Sequence, residues 1–501
     1  MQKLNWVPNV LLTCVAAFVI ASEMSVAAGA FAVPAGERQL FLDDVDIGRM
    51  ENLKRTMHTP TKKGAVIRPD RSMGINSIQI RMAPIWSPKK KVWQLWDCAS
   101  EPNDLHAKGY FFSAYYDSPD GLHWSRVPVG EIEYRGSRQN NFVSVVMGGK
   151  RHRCECIVYD AADPDPNRRY KTLTPNVFNK GRGGYAVSPD GIRWTQTGGA
   201  PIISGDEWNL TLDTKKHLFL QYLKRGSKHG RAIWLSTSKD FKNWTKPELS
   251  FQADDLDQKL GVKNIKARLA DPTMEKHVFN DPKDYKVDVY HMSPFRYESL
   301  YLGAPSLYHS TGKNTMSNTD GFHVVQLVSS RDLKNWTRQG DRKAFIAPSP
   351  IGGGAYDTVQ ILGPASAVVR DKELWFYYTG IRTRGPGYKM SGGALGSTGG
   401  AICLAVLRRD GFISLDAGEK KGTIVTKPFK VPSNRLFVNV DAFKGELRAE
   451  VLGKAGNVLA QYWVLGKRGS DFLRYVDATR FRGDLYYLEN LAAAVAACSS
   501  P

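Results

Sequence analysis

Acidic residues stand just before predicted strands in separate segments of this sequence. Asp271, within Ala-Asp-Pro-Thr, precedes a strand predicted at 273–278 that opens the fourth repeated unit, and Asp357, within Tyr-Asp-Thr, precedes one predicted at 358–362. A further carboxylate, Glu298, lies among aromatic residues that include Tyr297 and Tyr301. Carboxyl groups from separate segments can act as proton donor and base when a fold brings them together. These three acids are therefore the first candidates for catalysis.

Hydrolysis of a glycosidic bond is the chemistry that such a set could perform. One carboxylic acid protonates the leaving oxygen, and a second carboxylate acts as base or nucleophile, about 5 Å away for retention and further for inversion. Aromatic surroundings raise the pKa of a carboxyl group by desolvation, which suits a proton donor. We therefore assign Glu298 as the general acid, with Asp271 and Asp357 as rivals for base or nucleophile. The alternative for each is a structural role, such as capping a turn.

Other polar and aromatic residues are candidates for binding a sugar. Amide, carboxylate, imidazole and indole groups hydrogen-bond to or stack on sugar rings. The candidates stand in the N-terminal segment and at the openings of two later segments: Asp44, His58, Asn141, Asp206, Trp208, Asn209 and Asp213. Solvation of Asp206 and a loop hydrogen bond of His58 are the structural alternatives.

A repeated phrase indicates which elements position these residues. A Ser-x-Asp turn followed by Trp occurs at 118–124, 188–194, 238–244 and 330–336, with a worn copy at 409–412. Each copy follows a short apolar run, so it predicts a turn in which Asp accepts hydrogen bonds from backbone amides and Trp packs between sheets. Recurrence at intervals of several tens of residues is typical of a β-propeller. Five units can be counted, and their innermost strands would bring the opening residues to one central pocket.

The chain is therefore predicted to be all-β. We place a five-bladed β-propeller at 38–413, with an N-terminal strand completing the last blade, and a small antiparallel β-sandwich at 414–490. Residues 491–501 form a tail of unknown role. Residues 1–30 contain Lys3, an apolar run and small residues, which is typical of a signal peptide, and an uncleaved anchor is the alternative. We expect a secreted or periplasmic protein with no stable membrane span after cleavage.

The formal charge of +20 arises from 69 Lys and Arg against 49 Asp and Glu. Such an excess favours an anionic carbohydrate partner, or simply reflects solvated side chains spread over the surface. No basic stretch with interleaved aromatic residues indicates a nucleic-acid partner. We predict no cofactor and no catalytic metal, although Asp160, Asp163 and Asp165 leave a structural calcium ion open. Cys154 and Cys156 lack the second Cys or His pair that a zinc site needs.

The phrases around Asp240 and Asp332, together with Ala-Asp-Pro-Thr at 270–273, resemble the five-bladed propeller glycoside hydrolases of the family 32, 43 and 68 type. From Gln39 to about Leu452 the chain is similar to secreted bacterial hydrolase-like proteins. The segments that carry this second resemblance are Leu40–Asp44, Arg55–Pro60, Asn140–Asn141, Arg169–Lys171, Tyr297–Glu298 and Arg408–Asp416. The resemblance implies three axial carboxylates and a C-terminal β-sandwich.

The sequence departs from the fructan-cleaving members of those families. It lacks their Asn-Asp-Pro-Asn-Gly motif, and Ser299 follows Glu298 where they have Cys. Glu155-Cys156 spells that pair, but it lies in the second unit and is interpreted as coincidence. The prediction is a secreted glycoside hydrolase acting on a polysaccharide or oligosaccharide other than a fructan. Two alternatives are a non-catalytic carbohydrate-binding propeller and a surface interaction module, the latter favoured if side chains plug the axial channel.

Overall fold

Apolar runs of the repeated units form antiparallel strands in a computed structural model of the chain. It describes residues 31–32, 37–98, 112–175, 182–313, 319–383, 399–430, 436–439, 446–452, 457–465, 473–476 and 485–489. Within these residues the protein is nearly all-β, as predicted, with one α-helix. Short 3₁₀ turns occur at Arg71–Met73, Pro166–Arg168, Pro282–Asp284 and Gly340–Arg342. The predicted signal peptide and the 491–501 tail lie outside the described residues.

Successive antiparallel sheets, numbered 1 to 5, follow the N-terminal strands along the described chain. The N-terminal strands are β1 (Phe31–Ala32), β2 (Ile47–Glu51), β3 (Leu53–Met57) and β4 (Thr61–Ile67). Sheet 1 contains β5 (Ile85–Ser87), β6 (Val92–Trp96), β7 (Ser113–Ser118), β8 (Ser125–Arg126) and β9 (Phe142–Val143). A hairpin of β10 (Val145–Met147) and β11 (Lys150–His152) follows. Sheet 2 contains β12 (Cys156–Tyr159), β13 (Tyr170–Pro175), β14 (Arg182–Ser188) and β15 (Thr195–Ile203). Sheet 3 contains β16 (Trp208–Asp213), β17 (Leu218–Ser227), β18 (Gly230–Ser238) and β19 (Glu248–Phe251).

Sheet 4 has longer strands that break into two sections. Its strands are β20 (Lys286–His291), β21 (Phe295–Tyr297), β22 (Leu300–Gly303), β23 (Ser306–Lys313), β24 (Thr319–Val325), β25 (Val328–Ser330) and β26 (Thr337–Arg338). They pair in the orders β20-β23-β24 and β21-β22-β25-β26. Sheet 5 contains β27 (Gln360–Leu362), β28 (Ala367–Arg370), β29 (Glu373–Ile381) and β30 (Gly400–Arg408). Strand β4 pairs with β30, so an N-terminal strand completes the last sheet, as predicted.

Clusters of buried apolar and aromatic residues join each sheet to the next. One cluster is shared by sheets 5, 1 and 2, and others join sheets 2 and 3, 3 and 4, and 4 and 5. Their members include Trp96, Tyr170 and Tyr377, then Tyr185 and Phe219, then Tyr222 and Tyr301, then Leu302 and Tyr378. The sheets therefore pack in a closed ring. The first strands of sheets 2 and 3, β12 and β16, contact each other, and His291 at the end of β20 contacts Asn209 in β16, so these strands line its centre.

Each full copy of the repeated phrase forms the predicted turn. In the first copy, Asp120 Oδ1 accepts hydrogen bonds from the amides of Leu122 and His123 at 2.8 and 2.9 Å. The residue after Asp has positive φ, which glycine adopts without strain in the first two copies. Phe241 and Leu333 take that conformation in the other two, and their side chains are buried between sheets. In these two copies the turns therefore help to pack neighbouring sheets against each other.

The α-helix α1 (Asp255–Ala270) is a feature that the repeat pattern did not predict. Its capping box joins Asp254 and Asp257. The helix packs on β20, and a Cβ at Gly261 would stand 2.2 Å from Val287. The prediction that the fourth unit opens with a strand at 273–278 is therefore wrong, because its first strand begins at Lys286.

The C-terminal segment also forms strands. They are β31 (Ile413–Ala417), β32 (Thr423–Thr426), β33 (Phe429–Lys430), β34 (Leu436–Asn439), β35 (Glu446–Leu452), β36 (Val458–Leu465), β37 (Leu473–Val476) and β38 (Leu485–Glu489). Strands β2 and β3 pair with β32 and β31, so part of the N-terminal segment belongs to this region. One sheet has the order β1-β33-β38-β35-β36. The division into propeller and sandwich domains stays a prediction. None of the described helices combines the length and apolar character needed to cross a bilayer.

Candidate functional site

Charged residues at the openings of sheets 1, 2 and 3 meet at the centre of the ring. Arg81 donates from Nη2 to Oε1 of Glu207 at 2.9 Å and from Nε to the other carboxylate oxygen. The same Nε lies 3.9 Å from Oε1 of Glu155. Because Nε of one guanidinium contacts both carboxylates, their nearest oxygens lie no more than about 7 Å apart, an upper limit compatible with the roughly 5 Å separation of retaining glycosidases. We call Arg81, Glu155 and Glu207 the central triad.

A tight turn before β16 positions Glu207. The amide of Gly205 donates to the carbonyl of Lys224 at 2.8 Å, and the Ser204 hydroxyl donates to the carbonyl of Glu207 at 2.6 Å. The amide of Lys224 in turn donates to the Ser204 hydroxyl at 2.9 Å. Glu155 is fixed by its own amide, which donates to the carbonyl of Leu173 at 2.8 Å. Backbone hydrogen bonds therefore hold both carboxylates in place.

The central triad is almost completely removed from solvent. The side chains of Arg81 and Glu207 are each 5% exposed and that of Glu155 is 0% exposed. Buried charges need partners, and Arg153 adds one, with Nε 2.9 Å from Glu155 Oε2. Arg153 is partly exposed, so it connects the triad to the surface.

The two neighbouring acids Asp206 and Glu207 have opposite pKa shifts. Burial raises the pKa of Glu207 in spite of the charges of Arg81 and Lys224. The surrounding protein opposes ionisation of Asp206 too, but the Lys224 ammonium lowers the pKa of this exposed carboxyl below its ordinary value. Environments that push two carboxyl pKa values apart are typical of sites that need one proton donor and one ionised group.

An aromatic ring and two cations stand beside this acid pair. The Lys224 ammonium lies 3.7 Å from the ring centroid of Tyr290, and the Arg231 guanidinium lies 4.8 Å from it. Arg231 is held by Asp288, with Nη2 2.9 Å from Oδ1. The partly exposed ring of Tyr290 therefore faces a cationic surface.

A neutral histidine lies behind the charged residues. His291 Nε2 is 2.8 Å from Asn209 Oδ1, and the ring is fully buried. Burial lowers the pKa of His291 well below its usual range, and the charges of Arg81 and Lys224 lower it further. Nδ1 of His291 has no hydrogen-bond partner among the described residues. The imidazole is therefore uncharged near neutral pH; Nε2 donates to the Asn209 oxygen, so Nδ1 is available as an acceptor.

The structure places Glu298 away from the openings of the inner strands. It lies in the hairpin between β21 and β22 with φ of 51°. Both of its oxygens accept hydrogen bonds from Arg38, from the backbone amide and from Nη1, each at 2.9 Å. Arg38 also contacts Asp410 at 3.1 Å. Glu298 thus follows the inner strand β20 and is engaged by an ion pair, and its assignment as general acid stays a prediction.

Asp271 and Asp357 also have partners of their own. Asp271 ends α1 and accepts hydrogen bonds from the amide and hydroxyl of Thr273 at 2.8 and 2.7 Å. Asp357 is buried, contacts the Lys62 ammonium at 2.7 Å and accepts from the Tyr378 hydroxyl at 2.8 Å. Among the described residues no contact joins either of them to Glu298. Their assignment to catalysis stays a prediction.

Three of the seven predicted sugar-binding residues adjoin the central triad, namely Asp206, Trp208 and Asn209. Trp208 is buried in the core between sheets 2 and 3, so its ring cannot stack on a sugar. Asp213 ends the same strand and accepts a hydrogen bond from Tyr301 at 2.6 Å. Four residues of strand separate it from Asn209, about 13 Å.

The other three predicted sugar-binding residues have local partners. Exposed Asp44 pairs with Arg55 at 2.5 Å. His58 Nε2 lies 2.8 Å from the Ser414 hydroxyl, and Asn141 donates to the carbonyl of Tyr115 at 2.8 Å. The first contact lies within the N-terminal segment, the second joins that segment to the C-terminal segment, and the third lies inside sheet 1.

Sequence reasoning missed Arg81 altogether and set Glu155 aside. The signal for Glu155 was present in its Glu-Cys pair, and Glu207 stood at the opening of the third unit. Arg81 lies in an ordinary apolar run and carried no signal. Two of the three acids considered for a calcium site pair with a lysine: the Lys171 ammonium lies 2.7 Å from Asp163 and 3.3 Å from Asp160. Among the described residues no group of three or more His, Cys, Asp and Glu could hold a metal ion.

Comparison with known proteins gives weak similarity. No family model matches the chain, and no curated protein matches it. Among solved structures, the catalytic domain of a GH62 α-L-arabinofuranosidase from Coprinopsis cinerea is 13% identical, with a TM-score of 0.39, covering 70% of this chain and 97% of that one. An α-L-arabinanase from Penicillium chrysogenum is 11% identical, with a TM-score of 0.36, covering 70% and 99%.

An N-acetylgalactosamine deacetylase from F. plautii, in complex with blood group B trisaccharide, is 13% identical to the chain. Its TM-score is 0.38, and the match covers 72% of this chain and 96% of that one. Glycoside hydrolases are thus among the similar solved structures. Similarity at these scores carries no inference about the activity of this protein.

Proposed function

We propose that the protein is an exported glycoside hydrolase, that sheets 1 to 5 are the blades of a five-bladed propeller, and that its active centre is the central triad. The observation that supports this proposal is the pair of carboxylates from neighbouring sheets, Glu155 and Glu207, that contact one guanidinium at the centre of the ring. The substrate is a polysaccharide or oligosaccharide that enters beside Asp206 and Arg153.

Glu207 has the features of the general acid. Burial raises the pKa of its carboxyl, so that it retains a proton more readily than an exposed glutamate. In the reaction this proton passes to the glycosidic oxygen as the bond from that oxygen to the anomeric carbon breaks. Glu155 then acts as the base that removes a proton from the attacking water, or as the nucleophile that attacks the anomeric carbon.

The remaining residues would hold the acids and the sugar. Arg81 positions both carboxylates through its guanidinium contacts. Asn209 and His291 present polar groups on one side, and the Tyr290 ring offers a stacking surface on another. No metal or organic cofactor is required for this chemistry.

A release assay tests the proposal. The purified mature protein is incubated with a panel of aryl glycosides and of neutral and acidic polysaccharides, together with Glu207→Gln and Glu298→Gln. We expect release by the wild type and by Glu298→Gln, and a loss of at least a hundredfold in Glu207→Gln. Loss in Glu298→Gln alone, with folding retained, would instead establish Glu298 as the acid and refute the central triad.

A non-catalytic carbohydrate-binding propeller is the second candidate. It is favoured by the burial of the triad, because a guanidinium already engages both carboxylates and neither is more than 5% exposed. Sugars that bind and raise the thermal midpoint without any bond cleavage would select this alternative. A triad that neither binds nor cleaves sugars would leave a purely structural ion-pair centre and favour the surface interaction module.

A further inference from the structure

A cleft lies at the outer rim of the ring, between the outermost strands of sheets 5 and 1. Its volume is about 390 Å³. The lining residues that matter for recognition are Arg68, Asp70, Arg71, Tyr116, Trp124 and Arg126. A cleft of this volume accommodates a small ligand such as one or two sugar rings. It lies at the end of β4 and beside β8, and none of its lining residues belongs to the central triad.

The side chains of this rim cleft combine positive charge with aromatic surface. Three arginines and one aspartate line it. Arg126 Nη2 donates to the carbonyl of Arg68 at 2.8 Å, while its Nη1 lies 3.7 Å from Asp70. The first of these partners carries no net charge and the second is distant, so the Arg126 charge is only loosely neutralised by them. Trp124 is partly exposed in the same cleft.

An equivalent cleft between sheets 3 and 4 provides an internal comparison. It is lined by Trp336 and Arg338, which occupy the positions of Trp124 and Arg126 in another copy of the repeated phrase. There Arg338 pairs with Asp257 and lies 4.4 Å from the ring centroid of Phe251. Arg342 contacts Asp257 at 2.8 Å, and Lys334 contacts Glu248 at 2.8 Å. Close carboxylates neutralise the cations of this second cleft, whereas Arg126 of the rim cleft lies 3.7 Å from the carboxylate of Asp70.

We infer that the rim cleft is a second, non-catalytic saccharide site that binds an anionic sugar, with its carboxylate or sulfate group on the arginines and its ring against Trp124. Guanidinium groups bind carboxylate and sulfate oxygens through paired N–H donors, and an indole packs on the apolar face of a sugar. The formal charge of +20 strengthens attraction to such a polymer over longer distances. The site would hold the protein on a polyanionic polysaccharide, whether or not the central triad cleaves it.

Binding titrations of the full chain test this inference independently of hydrolysis. The probes are polygalacturonate as the carboxylated polymer, dextran sulfate as the sulfated polymer, dextran as the neutral control and polyphosphate as a polyanion without sugar. The test variant is Arg68→Gln with Arg71→Gln, both at exposed positions of the cleft. The matched control is Lys242→Gln with Lys246→Gln, which removes the same number of charges from exposed positions in the third copy of the phrase.

We expect at least tenfold weaker binding of one or both anionic polysaccharides by the test variant, and less than twofold by the control. A carboxylate-only or sulfate-only response identifies the charged group, and either supports the site. Equal weakening of binding by both double variants would show that net charge alone explains the attraction, and would overturn the inference. The same would follow from polyphosphate binding as tightly as the anionic sugars with the same dependence on Arg68 and Arg71. Release of an aryl glycoside should not change in the test variant.

Discussion

Replacement of Arg81 by methionine tests the central triad most severely. The change keeps the length of the side chain but leaves Glu155 and Glu207 buried without the charge they share, while Arg153 still pairs with Glu155. Breaking a buried ion pair by removing one partner costs about 3–5 kcal/mol. We therefore expect the free energy of unfolding to fall by that amount near pH 8.

The loss of stability caused by Arg81→Met should grow as the pH rises. Burial already raises the pKa of Glu207 above its ordinary value of 4.5, and loss of the guanidinium raises it further. A carboxyl group whose pKa is raised in the folded state contributes to the free energy of unfolding. This contribution is fully present when the pH is below the ordinary pKa, and it is lost as the pH rises through the folded-state pKa. The deficit of the variant is therefore smallest near pH 4 and grows toward pH 8, by about 1.4 kcal/mol for each unit of added pKa shift.

Urea denaturation followed by tryptophan fluorescence near pH 4 and near pH 8 measures both quantities. Arg193→Met is the control, because Arg193 is exposed on its own turn and pairs with the partly exposed Asp190. It should change stability little at either pH. A deficit below about 1 kcal/mol for Arg81→Met at both pH values would show that the carboxylates do not depend on this cation. An equal deficit at both pH values would attribute the loss to packing rather than to charge.

Three further predictions concern the turns and the N-terminal segment. Gly191→Ala should lower stability by about 3 kcal/mol, because its Cβ would stand 2.3 Å from Trp96 Cζ2, whereas Gly130→Ala meets no atom within 4 Å and should cost only the backbone strain of about 1 kcal/mol; urea melts compare the two. The backbone hydrogen bond from Asn335 is the main cause that lowers the pKa of Asp332 to about 2, so its contribution is present above the ordinary value of 3.8 and is lost as pH falls toward 2. Asp332→Asn should therefore flatten the acid side of the thermal stability profile, and an unchanged slope would contradict this. Arg38→Ala should cost about 1–3 kcal/mol, because the side-chain contacts of Arg38 to Glu298 and to buried Asp410 are lost while its backbone amide still donates to Glu298, and limited proteolysis should then cut the N-terminal segment earlier than in the wild type.

The parts of the fold that the sequence predicted rest on local hydrogen bonds. In the repeated phrase, the Ser and Asp side chains bond to amides no more than three residues away, so the turn can be recognised from its own residues. Helix α1 has a local capping box, but the residues that follow it lack the apolar periodicity that predicts a helix. Its exposed face is rich in lysine, and Gly261 and Ile265 are among its few buried residues, so the apolar period of an amphipathic helix is absent.

The candidate site could be predicted only in part, because its contacts join distant segments. Asp206 and Asn209 were predicted from the opening of a strand, which is a local feature, whereas Glu207 stands between them and was not predicted. Arg81 bonds to Glu207 across 126 residues, and nothing near Arg81 indicates that partner. Glu298 was attractive for its aromatic neighbours, but Arg38, 260 residues away, engages its carboxylate. The Arg81–Glu207 and Arg38–Glu298 pairs both form only when the ring of sheets closes, and that closure depends on the packing of all the sheets.

The central claim is that Glu207 donates a proton to the leaving group, and a leaving-group series tests it most directly. Turnover of aryl glycosides is measured for the wild type and Glu207→Gln, with leaving phenols of low and high pKa. An activated phenol departs without protonation, so Glu207→Gln should retain activity on it and lose at least a hundredfold on the unactivated one. An equal loss on both substrates, or no loss on either, would contradict the assignment of Glu207 as the general acid.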